Sequence, residues 1–241
     1  MNGLQYQETM PQAVAYASVS ERLSFIRKVY LGLTAMLLGT MAASAASLAY
    51  GLPTMLLDAA GSGLIFWIAI IAASFGVYFV RKVPGLNILG MAVLSAMMGV
   101  AISPLLYVAH MVQPGQHILG GIVAQAFLLT SSIFVGLTVY VFTTRKDFSW
   151  LGGALWVGFF LLLACIIGFM IFGMPSQEIY IAYCIFGVLL FTGFILYDTS
   201  IIIHHLSTDE WVAGSLNLFF DFINLFLYIL RLLLILAASR E

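Results

Sequence analysis

Two carboxylates interrupt segments that are otherwise apolar. Asp198 lies in Phe191-Thr192-Gly193-Phe194-Ile195-Leu196-Tyr197-Asp198, and Asp221 lies in Leu218-Phe219-Phe220-Asp221-Phe222-Ile223. A carboxylate at membrane depth costs several kcal/mol, so it normally faces a bundle interior and has a partner. Two of them on consecutive helices can share a proton, hold a cation, or act as a catalytic pair. A shared proton is lost as pH rises, and the mutual repulsion that follows would make the pair a switch between two packings of its helices. A doubly ionised pair could instead offer oxygen ligands to a hard cation such as Ca²⁺. The plain alternative is a hydrogen-bonded staple between two helices. Arg81 ends an apolar run on the same side and could reach the pair. Asn224, one turn past Asp221, and Tyr197, beside Asp198, are the supporting polar residues.

These residues need elements to position them. The chain has 241 residues, 63% of them hydrophobic and 8% charged. Soluble domains carry about 25% charged residues, so this composition points to an integral membrane protein. Seven apolar runs follow a polar start: 29–50, 62–80, 87–109, 118–142, 150–172, 179–203 and 212–238. Each is long enough to span, at about 20 residues. The expected fold is all-α, a polytopic seven-helix bundle over 28–241 behind a cytoplasmic arm over 1–27 that holds one short helical stretch. Pro104 falls inside run three and should kink it. The small-residue stripe Ala42 to Ser47, and Gly152, Gly153 and Gly158, would let helices approach closely.

Lys and Arg set the orientation. Arg22, Arg27 and Lys28 precede run one, Arg81 and Lys82 follow run two, and Arg145 and Lys146 follow run four. The loops after runs one, three and five have none, which puts the N-terminus in the cytoplasm of a plasma membrane, that of a bacterial cell by the look of the chain. Run seven, at about 27 residues and about 40 Å of helix, spans; a re-entrant run would instead return the C-terminus inside. Asp198 and Asp221 then lie about two and three turns from the cytoplasmic side, at a common depth.

Several functions are disfavoured. Net charge −1 gives no nucleic-acid footprint. The only lysines sit at run ends, so none can carry a retinal Schiff base. HExxH and CxxC motifs are absent, and His204 and His205 have no third metal ligand spaced nearby. Cys165 and Cys184 read as packing thiols.

Three segments resemble the transmembrane Bax inhibitor motif family: Thr143-Thr144-Arg145-Lys146-Asp147-Phe148-Ser149-Trp150-Leu151-Gly152, Leu196-Tyr197-Asp198-Thr199, and Asp221-Phe222-Ile223-Asn224-Leu225-Phe226. The resemblance implies a seven-helix fold with helix 7 central. It implies that Asp198 and Asp221 match a pH-sensing pair and that Arg81 matches an arginine contacting it. It further implies a pH-dependent Ca²⁺ leak, with Ca²⁺ as the transported or bound ion and no other cofactor. A bacterial branch is similar in binding and restraining a membrane AAA protease of the FtsH type, and the Thr-Thr-Arg-Lys-Asp segment and the final Ala-Ser-Arg-Glu look like that branch. Some of its members lack the full aspartate pair, which this chain keeps. An intramembrane aspartyl protease is the remaining alternative, weakened because Leu218-Phe219-Phe220 stands where those enzymes carry Gly-x-Gly. The expectation is therefore a non-enzymatic membrane protein.

Overall fold

The computed structural model describes residues 13–58, 72–112 and 121–239. Among these the chain is helical: α1 (Val19–Ala49), α2 (Leu52–Asp58), α3 (72–80), α4 (Leu86–Val112), α5 (Gly121–Thr144), α6 (Gly152–Phe172), α7 (Gln177–His204) and α8 (Trp211–Ala238). Six of them, α1 and α4 to α8, are long and apolar enough to cross a bilayer. These correspond to runs one and three to seven. Run two falls partly outside the described residues, so the seventh span is not seen in full. The short α2 was not expected.

The first helix starts about ten residues earlier than the apolar run. Ser18 and Glu21 form a capping box: Ser18 Oγ accepts from Glu21 N at 3.4 Å, and Ser18 N donates to Glu21 Oε2 at 3.0 Å. That exchange satisfies two backbone donors a helix start otherwise leaves open. Residues 19–27, expected to belong to the arm, are therefore the first turns of α1. Phe25 is buried among them.

α1 and α4 run parallel. Thr40 Oγ1 donates to Ser95 O at 3.0 Å, and Ser47 meets Ser103 at 2.7 Å further along both helices. A Cβ on Gly99 would come 2.5 Å from Thr40 O and 2.6 Å from Ala43 Cβ, so the stripe on α1 gives the close approach its composition suggests. Pro104 sits inside α4 without breaking it. Proline removes the N–H that would bond Val100 O, and Ser103 Oγ donates to that carbonyl instead at 2.8 Å. Ser103 has then spent its proton, so Ser47 supplies the donor across the helix pair.

α8 is the most enclosed of the six. Two thirds of its most apolar window is buried (67%), against 39% or less for the others and 11% for α6. It packs on α7, α1, α5 and α4. Ser215 Oγ donates to Val29 O at 2.9 Å on α1, and Tyr183 and Tyr228 join their hydroxyls at 2.9 Å between α7 and α8.

Three segments meet the α7–α8 loop at one end of the bundle. Val14 N donates to Leu206 O at 2.9 Å. Arg81 pairs with Glu210 at 3.3 Å and Lys82 with Asp209 at 3.2 Å. Asp147 Oδ2 meets His205 Nε2 at 2.9 Å. The segment before α1 and the basic loops after α3 and α5 therefore converge on the loop that joins the two aspartate helices.

Candidate functional site

α7 and α8 run antiparallel, which brings Asp198, six residues before the end of α7, against Asp221, ten residues into α8. Both are buried, at 8% and 4% exposure. Asn217, one turn before Asp221, donates from Nδ2 to Asp198 Oδ1 at 3.0 Å. Asp198 and Asp221 border one cavity, and Asn217 on the Asp221 helix reaches across to Asp198. Asp221 Oδ2 receives no N–H or hydroxyl donor. Two carboxylates have no hydrogen between them, so a bond across the pair requires a proton on one.

The pair borders a cavity of about 430 Å³ at the junction of α6, α7 and α8. Its wall is aromatic. Trp156, Phe159 and Phe194 stand edge to face, with centroids 5.7 Å (Trp156–Phe159), 6.2 Å (Trp156–Phe194) and 6.5 Å (Phe159–Phe194) apart. Tyr197 lines the same cavity and closes against α6 at Gly152, where a Cβ would meet its ring at 2.9 Å. Glycine is the residue that leaves that space open.

The structure brings together most of the residues the sequence singled out. Asp198, Asp221, Tyr197 and Asn224 share the cavity wall. The Asn224 amide, however, donates to Phe220 O of its own helix at 2.8 Å, not to a carboxylate. The amide that does serve the pair is Asn217, which the sequence reading passed over. Asp221 minus four is the helical spacing that could have found it. Arg81 is the clear departure from the expected site. Its guanidinium pairs with Glu210 and lies over the Tyr78 ring at 3.8 Å, and it makes no ion pair with either aspartate. Glu210 is the nearer anion because it ends the loop that Arg81 already faces.

A second polar cluster lies just outside the helices. Asp147 Oδ1 accepts from Ser149 N at 2.9 Å and from Ser200 Oγ at 3.2 Å, and Ser200 Oγ accepts from Phe148 N at 2.8 Å. The Ser149 backbone bond and then the His205 contact hold the Asp147 carboxyl well below the usual carboxylate range. The loop after α5 is thus fastened to α7 two residues from Asp198. Arg145 takes a left-handed φ of 51° as the chain leaves α5 for this loop. Cys165 and Cys184 are free thiols. Among the described residues no group of three or more His, Cys, Asp or Glu could hold a metal ion.

Comparison with known proteins covers nearly the whole of this framework. The family model described as "Inhibitor of apoptosis-promoting Bax1" matches residues 22–238. Protein lifeguard 4 of Mus musculus is 33% identical over 223 residues, 91% of this chain and 88% of its own. The Golgi anti-apoptotic protein of Vaccinia virus (strain Lister) is 35% identical over 231 residues, 92% of this chain and 89% of its own. A protein of Helicobacter pylori, named only as uncharacterized, is 30% identical over 169 residues, 70% of each chain.

Proposed function

The chain belongs to the Bax inhibitor family, and from that premise we propose that it is a multi-pass membrane protein providing a pH-sensitive cation leak, with Asp198 and Asp221 as its sensor. The single observation that carries the reading is the buried carboxyl pair between α7 and α8. A pair that keeps one proton holds its helices together through the bond across it. Loss of that proton leaves two negative charges in an apolar setting, where repulsion is poorly screened. The helices then gain a reason to part, and the vacated space is lined by carboxylates that attract a cation.

Ca²⁺ is the favoured cargo, since it takes oxygen ligands. Two carboxylates fall short of the six to eight oxygens a resident Ca²⁺ takes, which favours passage over storage. Arg81 acts, on this reading, through Glu210 on the α7–α8 loop rather than by touching the pair. The basic ends of α1, α3 and α5 lie on the cytoplasmic side, and run two supplies the seventh crossing around a central α8.

The test is Ca²⁺ flux into liposomes holding the pure protein, measured against pH beside Asp221→Asn. The variant removes one ionisable group and the repulsion, so its pH dependence should flatten. An unchanged profile in Asp198→Asn and Asp221→Asn would reduce the pair to a staple. Absence of flux, with a membrane AAA protease co-purifying from cells, would move the assignment to a protease modulator.

A further inference from the structure

The cavity beside the aspartate pair is built unlike a metal site. Its volume, about 430 Å³, falls within the roughly 300–1,000 Å³ of small-molecule sites. Its polar end holds Asp198, Asn217 and Asp221, and the rest is mainly aromatic: Trp156, Phe159, Phe194, Tyr197 and Phe220 among others. A hard metal ion gains nothing from those rings, because it is strongly hydrated and seeks oxygen. A weakly hydrated organic cation gains from both, since ring faces attract it and a carboxylate neutralises it. Asp221 is 4% exposed, lines the cavity, and has a buried Oδ2 with no hydrogen-bond partner.

We propose that this cavity binds a monovalent organic ammonium ion, quaternary or a protonated amine. The charge matches: two carboxyls bordering one buried cavity repel when both are ionised, so the singly ionised pair is the cheaper state and a monovalent guest neutralises it. The wall is pre-organised, because Trp156, Phe159 and Phe194 lock one another edge to face with interplanar angles of 83° to 88°. Entry is lateral. α6 is the least enclosed of the long described helices, and Trp156 is 52% exposed on it. The proposal uses the same carboxylates as the leak reading but requires no ion to cross the membrane.

The experiment uses the full chain in a maltoside detergent, with three of its four tryptophans changed to phenylalanine so that Trp156 alone reports. Benzyltrimethylammonium is the probe and neopentylbenzene its uncharged isostere. The probe should change Trp156 emission saturably, and the isostere should not. Asp221→Asn should weaken the probe at least tenfold. Phe220→Leu, which keeps both carboxylates, should weaken it several-fold. Equal binding of the isostere would overturn the proposal and leave an apolar acyl-chain pocket. So would full affinity in Asp221→Asn. If Asp221→Asn fails to fold, the isostere comparison and Phe220→Leu decide. Nanodiscs of phosphatidylglycerol with and without phosphatidylcholine separate the natural sources: competition by the choline lipid identifies a headgroup, and its absence identifies a free amine. Probe binding with no Ca²⁺ flux strikes the leak reading alone, and flux without probe binding strikes this one alone.

Discussion

Asn217 holds Asp198 across the α7–α8 interface, its Nδ2 donating to Oδ1 at 3.0 Å. The bond matters because it gives a buried carboxylate a neutral donor from the facing helix. Replacing Asn217 with Leu keeps bulk and removes the donor. A buried acceptor stripped of its partner costs about 1–3 kcal/mol. The variant's thermal midpoint in detergent should fall accordingly. An unchanged midpoint would mean that water or a rotated side chain already serves Asp198.

Gly99 tests the parallel packing of α1 and α4. A Cβ there would lie 2.5 Å from the Thr40 backbone oxygen, which cannot swing aside as a side chain could. The helices must separate, and overpacking of this kind costs about 1–3 kcal/mol. Gly99→Ala should lower the melting temperature. Gly153→Ala, where nothing lies within 4 Å, should not. Composition alone does not rank the two glycines; the structure separates the packed one from the open one.

The loop after α5 should loosen in acid. The Asp147 carboxyl is held below the ordinary carboxylate range, first by Ser149 N and then by His205. Its native value lies under its unfolded one, so the stabilisation is full above about pH 4 and is lost as pH falls towards the native value. Protection factors over residues 145–151, taken against the intrinsic exchange rate at each pH, should therefore fall on acidification below about pH 4. In Asp147→Asn that protection should be lower throughout and lose the acid step. An acid step of the same size in the variant would assign it to another group.

What the sequence yields and what it withholds divide along physical lines. Long apolar runs with turn signals at their breaks placed both ends of α4 to α8 within three residues, because bilayer thickness and helix rise fix such lengths. The start of α1 was missed because a capping box, Ser18 to Glu21, extends a helix through polar residues that hydropathy discounts. Asp198 and Asp221 stood out because carboxylates at that depth are costly. Asn217 did not, since its role depends on reaching a carboxylate on another helix, and Asn224 on the other side of Asp221 fits the same local spacing. Contacts set by loop geometry were least legible. Asp147 meets His205 across 58 residues of chain, and no local pattern announces the pairing.

Arg81 and Glu210 give the sharpest discrimination between sequence expectation and structure. The resemblance implies that Arg81 touches the aspartate pair, whereas its ion pair here is with Glu210 at 3.3 Å, with both side chains about one fifth exposed (21% and 19%). A double-mutant cycle separates the two. Arg81→Gln with Glu210→Gln should show coupling of about 0.5–1 kcal/mol in thermal stability, in keeping with a partly exposed pair. Arg81→Gln with Asp221→Asn should be additive to within about 0.5 kcal/mol, as expected of groups that share no contact. The charge reversal Arg81→Glu with Glu210→Arg should recover much of what either single reversal loses. Coupling to Asp221 and none to Glu210 would put the guanidinium on the pair and remove the α7–α8 loop from its path.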